Sequence, residues 1–255
     1  MIRSSKYRWY ETAWSVGYRQ YFVKVPAVRY LRRVSTFQRA RSEEQRAERR
    51  RAILETAAVM LTEMPVAKVS LNELSRRVGL AKPNVLRYCE SREDVLLQLL
   101  DAELEAWVAA LEAGTSTTDA PLRERGDHLA RLLAESLVDR PVLCDLISAQ
   151  ASVLEHNVST EVAIRHKRAA NRASSAVVDF ALAHVPELGE RDGWTLVTIL
   201  LLTVTAVWPS SQPPEALVAA YAAEPELASH HVQLSEYLLR VTQVAVSGLL
   251  ARRDD

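Results

Sequence analysis

The sequence predicts an all-α protein, with a three-helix head carrying a helix-turn-helix and a larger helical body behind it. Three observations predict it. Only 7 glycines and 3 phenylalanines occur in 255 residues, too few for the turns and aromatic strand positions of a β fold. Alanine and leucine are the two commonest residues, and arginine and glutamate are abundant; these residues lose little on entering a helix. From Ser42 onward apolar residues recur at helical spacing in segment after segment, with no alternating pattern to compete.

The elements follow in order. Residues 1–41 read as a basic, aromatic N-terminal extension. The first forty hold five of the eight tyrosines, two of the five tryptophans and nine Lys/Arg, with Glu11 the single acid. Three readings fit: an arm that follows a nucleic-acid backbone or enters a minor groove, a segment resting on an anionic membrane, or a poorly ordered tail. At Ser42 a capping box with Gln45 opens the first helix, and Ile53, Leu54, Ala57, Ala58 and Leu61 form its apolar face up to Pro65. Ser70 with Glu73 opens a second, short helix whose inner side is Leu71, Leu74 and Val78. Gly79 stops it, because glycine adopts the left-handed backbone at no steric cost. A third short helix begins near Pro83, which tolerates a first-turn position, and runs to Cys89. Ser91 with Asp94 starts a longer helix reaching about Leu111.

The second and third helices with their glycine turn form a helix-turn-helix unit. Spacing sends Leu74, Val78, Val85 and Cys89 inward and leaves Lys82, Asn84, Arg87 and Tyr88 outside. Asn84, Arg87 and Tyr88 fall on one face at i, i+3 and i+4. Arginine and lysine match guanine N7 and O6, asparagine matches adenine N6 and N7, and tyrosine can donate to phosphate. A solvated helical face would carry similar residues, so this helix alone does not decide the matter.

The surrounding sequence does. Residues 49–95, RRRAILETAAVMLTEMPVAKVSLNELSRRVGLAKPNVLRYCESREDV, resemble the N-terminal DNA-binding domain of the TetR family of transcriptional regulators. The matching features are the Arg-x-x-Ile-Leu-x-x-Ala-Ala opening, Ser70-Leu71, Val78-Gly79-Leu80 and Ser91-Arg92-Glu93. The resemblance implies a DNA-binding domain over 42–100 and a helical ligand-binding and dimerisation domain over 101–255. It implies a double-stranded operator, a pseudo-palindrome, bound by a homodimer that answers to a small-molecule effector. DNA-contacting residues would be Ser70, Lys82, Pro83, Asn84, Arg87, Tyr88 and Arg92. Ser70 and Arg92 would sit on phosphates near helix N-termini, and Lys82, Asn84 and Arg87 would read bases. Several positions depart from the family pattern. Ala81 replaces a capping serine and cannot accept the capping bond. Leu86 replaces a phosphate-contacting tyrosine, Tyr88 a histidine, Cys89 an inward phenylalanine, and Arg92 a lysine.

Beyond a Gly/Ser/Thr-rich break at Gly114–Pro121, helices are expected near 121–139, 141–156, 159–185, 191–208, 213–223 and 229–251. Leu129, Leu132, Leu133 and Leu137, then Leu234, Leu238, Val241 and Ala245, supply two of the apolar faces. The segments 191–208 and 229–251 read either as core or as a dimer interface. Trp194 to Trp208 is the longest apolar stretch, but four threonines interrupt it and Pro209 ends it, short of the ~20 apolar residues of a membrane span.

Charge separates head from body. The whole chain is neutral, yet residues 1–100 hold 20 Lys/Arg against 10 Asp/Glu, and 101–255 hold 12 against 22, so the front suits a polyanion. Cys89 and Cys144 have neither metal nor disulfide spacing, which fits a reducing cytoplasm. Trp107, His128, Cys144, His156, His166, Trp194 and Trp208 are tempting pocket residues, but each reads more simply as core or as a single polar group. His156 and His166 lack a carboxylate at ligand spacing on one helical face, and adjacent His230 and His231 point apart, so no metal is expected. No phosphate loop, nucleophile elbow or zincin motif occurs, so neither catalysis nor a cofactor is expected. The reading is a cytoplasmic, dimeric repressor released by an apolar effector. The alternative is a non-catalytic helical interaction protein with only non-specific DNA binding, which the Ala81 and Leu86 departures favour. A third reading anchors residues 1–40 on a membrane.

Overall fold

Helix α4, Arg92–Glu112, organises the molecule because its buried residues join the head and the bundle in one continuous core. In the computed structural model, which describes residues 43–113 and 119–252, every residue from Asp94 to Leu100 is buried except Gln98. A helix apolar on all sides must be enclosed, and the first half of α4 is. Its second half narrows to one stripe, Leu104, Trp107 and Leu111, at the i, i+3, i+7 spacing of a helix with one face on a bundle.

The chain divides into two units after Arg46, and the side chains discussed below belong to the second, Ala47–Asp255. Helix α1, Glu43–Glu63, contributes Ile53, Ala57, Met60 and Leu61 to the core. The expected box at Ser42 and the arm at 1–41 lie outside the described residues, as do Gly114–Thr118. A 3-10 turn, Val66–Lys68, opens at Pro65. Helix α2, Leu71–Val78, is capped by Ser70 and closed by Gly79 at φ 75°. Helix α3, Lys82–Val85, is a single turn, shorter than the expected 83–89. Its continuation bends into tighter bonds, Arg87 N to Asn84 O and Tyr88 N to Val85 O, so the segment ends as a turn.

Six further α-helices follow among the described residues, close to the expected ranges: α5 (Leu122–Val138), α6 (Pro141–Ala149), α7 (Thr160–His184), α8 (Gly189–Ser211), α9 (Glu215–Ala223) and α10 (Leu234–Ala251). No strand occurs among the described residues. Two differences are informative. Helix α6 loosens into a π-helical segment at Gln150–Leu154 instead of running to 156. The expected 229–251 helix starts at Leu234, since Pro225–His230 forms a 3-10 turn. Its buried stripe is Leu234, Leu238, Thr242 and Val246, with Val241 and Ala245 half-buried. Thr242 enters the core by donating its hydroxyl to Leu238 O at 2.6 Å.

Helix α8 packs on α6, α7 and α10; α10 also packs on α5, and α7 on α4. The segment Pro186–Ser211 is long and apolar enough to cross a membrane, yet its inner side, Leu196, Val197, Leu200 and Val204, belongs to this core. The α7–α8 approach depends on Gly193, where an added Cβ would lie 2.9 Å from Val178 Cγ1 and 3.6 Å from Leu182 Cδ2. A stiff β-branched neighbour cannot swing aside. Gly193→Val should therefore destabilise by about 1–3 kcal/mol, lowering the thermal midpoint by about 2–4 °C per kcal/mol at this chain length, as read by circular dichroism. An unchanged midpoint would show that the helices separate at no cost.

Candidate nucleic-acid interface

The head presents one short polar edge, and its shape comes from local bonds. Ser70 Oγ accepts the Glu73 N–H at 3.2 Å, which leaves the hydroxyl proton unused by the cap. Glu73 does not return the bond as a full capping box would. Its carboxylate instead takes Arg76 Nη2 at 2.6 Å and Arg77 Nε at 2.8 Å, while Arg77 Nη1 also reaches Glu63 Oε2 at 2.6 Å. The left-handed Gly79 lets Leu80 N reach Ser75 O at 3.0 Å, and the chain reverses into α3.

Val85 and Cys89 are buried beneath α3 together with Leu74 and Val78, as their spacing requires. Lys82, Pro83, Asn84 and Arg87 are exposed. Leu86 is also on the outside, 40% exposed. Ala81 stands at the N-cap with no side-chain bond, and Pro83 contributes a fixed φ where it cannot donate.

Two residues expected to face outward do not. Tyr88 is half-buried against the core; its Oη accepts from Arg49 Nη1 at 3.3 Å and its carbonyl from Arg50 Nη2 at 3.2 Å. Because α3 tightens after one turn, Tyr88 does not share a face with Asn84 and Arg87. Arg92 is likewise turned inward, its side chain 18% exposed. Its Nε donates to Val69 O, its Nη2 to Val66 O and its Nη1 to Glu93 Oε1. The guanidinium thus ties the start of α4 to the 3-10 turn, where an outward-facing side chain was expected. The same geometry brings Arg49 and Arg50 of α1 beside the reading segment. Sequence reasoning passed over these two, although the run Arg49-Arg50-Arg51 was the available signal.

The tempting pocket residues separate. Trp107 is buried and donates from Nε1 to Ser136 Oγ at 2.9 Å. Cys144 is buried, donates to Leu137 O at 3.3 Å, and burial pushes its thiol up to about 12. Cys89 is held at about 11, chiefly by burial. Both cysteines are free thiols. His128 is half-buried and His156 and Trp194 are exposed. Trp208 donates from Nε1 to Asp145 Oδ1 at 3.0 Å. His166 is fully buried, and its carboxylate neighbours come from other elements, not from its own helical face. Its Nδ1 lies 2.6 Å from Asp101 Oδ1 and its Nε2 3.8 Å from Glu155 Oε1. Among the described residues no three His, Cys, Asp or Glu side chains are grouped for a metal.

Comparison with known proteins adds three findings. The family described as tetracyclin repressor-like, C-terminal domain, matches residues 101–253. The HTH-type transcriptional regulator EthR of Mycobacterium tuberculosis is 41% identical over 54 residues, covering 21% of this chain and 25% of that protein; the chain thus spans about a quarter of the length of the curated relatives it matches. Among solved structures, a TetR transcriptional regulator from Rhodococcus sp. RHA1 aligns at TM-score 0.47 and 17% identity, over 81% of this chain and 99% of that one. The fatty acid degradation regulator FadR from Bacillus halodurans aligns at TM-score 0.47 and 14% identity, over 78% and 95%.

The Glu73 cluster sets an acid limit on the head. Its hydrogen bonds from Arg76 and then Arg77 hold the Glu73 carboxyl down from 4.5 to about 2. A depressed carboxyl pKa stabilises the fold fully above the ordinary value and loses that contribution as pH falls through the folded value. The difference in melting temperature between the parent and Glu73→Gln should be widest above pH 4.5 and close toward pH 2. A difference that stays constant over that range would remove the cluster from the acid response.

Proposed function

The chain belongs to the tetracycline-repressor-like (TetR) family, whose C-terminal domain runs through residues 101–253, and from that premise we propose that it is a sequence-specific DNA-binding transcriptional regulator. The observation that carries this reading is the exposed set Lys82, Asn84 and Arg87 on a segment locked from below by Val85 and Cys89. Lys82 and Arg87 have the donors for guanine, and Asn84 has the donor and acceptor for adenine. Leu86 adds an apolar contact of the kind that reads a thymine methyl group. Ser70 and Arg50, at the margins of that edge, serve phosphates.

The DNA-binding domain is residues 42–100 and the regulatory body 101–255. Two copies pair through α8 and α10. These helices pack on each other yet leave Trp194, Leu202, Tyr237 and Val244 exposed, Leu202 and Val244 each 63%, and large apolar side chains left to solvent gain from a partner. A dimer places its reading heads about 34–36 Å apart, one turn of B-DNA. An apolar effector bound in the body releases the operator by favouring a dimer with its heads wrongly spaced, and only its differential affinity for the two states does that work. The regulator acts in the cytoplasm.

Selection from random duplexes tests the reading: a pseudo-palindrome with half-sites about 10 bp apart is expected, and recovery of salt-labile, sequence-blind binding alone would favour the interaction-protein alternative. On the selected duplex, Arg87→Ala and Asn84→Ala should each cost about 1–3 kcal/mol and relax discrimination against a scrambled duplex. Equal losses on both duplexes would remove the residue from the readers. Arg92→Ala should lower the melting temperature and leave the salt slope of binding unchanged, because its guanidinium holds backbone carbonyls; a slope reduced by about one would return it to the phosphate contacts.

A further inference from the structure

Asp145, on α6, accepts from two distant parts of the chain with its two oxygens. Oδ2 takes the Val66 N–H at 2.7 Å, and Oδ1 takes the Trp208 indole N–H at 3.0 Å. Val66 opens the 3-10 turn that precedes the capped start of α2. Trp208 lies near the end of α8, the helix whose outer side bears Trp194 and Leu202. Neither donor is charged. Burial pushes the Asp145 carboxyl up, and the Val66 and Trp208 bonds oppose that rise.

The same turn is held from its other end. The carbonyls of Val66 and Val69 accept the Arg92 guanidinium at the start of α4. One short stretch therefore has its N–H fixed to the body and its C=O fixed to the head. The two oxygens of a carboxylate belong to one rigid plane and cannot follow separate partners. A displacement of Trp208 that carries Oδ1 with it draws Oδ2 away from Val66.

We propose that Asp145 is the positioning residue that couples the end of α8 to the reading head, so that rearrangement of the α8 face resets the orientation of α2 and α3. The proposal rests on the DNA-binding reading for its meaning, but the tie itself is testable without DNA. By reciprocity, whatever fixes the head also protects the Trp208 end.

Hydrogen exchange on the full chain, free of DNA, is the test. Trp208→Phe keeps an aromatic ring and deletes the donor without altering either the head or Asp145. It should speed exchange across residues 64–70 about fivefold, the factor that loss of one net hydrogen bond gives, and leave α5 unchanged. Exchange across 64–70 that stays at the parent rate overturns the proposal, and so does acceleration spread evenly through α5. Asp145→Asn is the second variant, decisive if Trp208→Phe does not fold. Its amide nitrogen must face one of the two donors, so 64–70 and 205–211 should both accelerate; acceleration at one end alone would reveal two local bonds without coupling and overturn the proposal. Since no operator enters the experiment, its failure leaves the DNA-binding reading standing, and a failed duplex selection leaves the tie intact.

Discussion

Between Asp94 and Leu100, α4 has almost no side toward solvent, and that enclosure forces the polar groups at its start to find partners inside the protein. Asp94 is buried with its oxygens filled: Oδ2 accepts Glu90 N at 2.8 Å, and Oδ1 accepts Gln98 Nε2 at 2.8 Å and Arg165 Nη2 at 2.5 Å. Ser91 Oγ caps the helix by accepting Asp94 N at 3.0 Å. Arg92 closes two carbonyls of the preceding turn. An unpaired buried charge costs far more than the net worth of the pair that satisfies it. The junction therefore holds one arrangement firmly and resists partial opening. Head and bundle share a helix whose first turn has little freedom to fray.

Features set by neighbours in the chain were legible in the sequence. Ser70, Gly79 and Ser91 lie where their backbone roles demand, and the body helices fall near their expected ranges because a 3.6-residue period survives in the residue order. Features set by partners far along the chain were not legible. Arg92 looks like a surface arginine until Val66 and Val69, 26 and 23 positions earlier, turn out to offer their carbonyls. His166 has no carboxylate at ligand spacing on its own helical face and finds Asp101 65 positions away. The length of α3 lies between these cases. Ala81 supplies no side-chain cap, and after one α turn the backbone tightens into i→i+3 bonds; the i, i+3, i+4 face drawn through Tyr88 assumed that the α helix continues to Cys89.

The apolar run in α8 shows how composition alone misdirects. Threonines make up much of its polar content, yet Thr195, Thr198, Thr203 and Thr205 each return the hydroxyl proton to a carbonyl four residues back. That masks their polarity without recourse to water. A helix built this way suits a contact between protein surfaces as well as it suits lipid. What distinguishes the cases is the inner stripe, Leu196, Val197, Leu200 and Val204, closed over by neighbouring helices. The outer side carries Trp194 and Leu202 alternating with satisfied threonines, a surface of moderate apolarity such as exchangeable subunit contacts use.

The ties between body and head share one property. Asp145 holds the 3-10 turn, Arg165 holds Asp94, and Ser159 N donates to Glu90 Oε1 at 2.6 Å. Each grips a segment flanking the reading edge, and α3 itself is secured from within the head by buried Val85 and Cys89 and by the Arg49 and Arg50 bonds to Tyr88. Arg92 joins two of the gripped segments to each other. Under the proposed coupling, force arriving from the body would reach the turn and the start of α4 together, because these bonds hold both. That coupling would act on the orientation of the head, because the side-chain bonds at the α3 segment itself come from within the head and from α4.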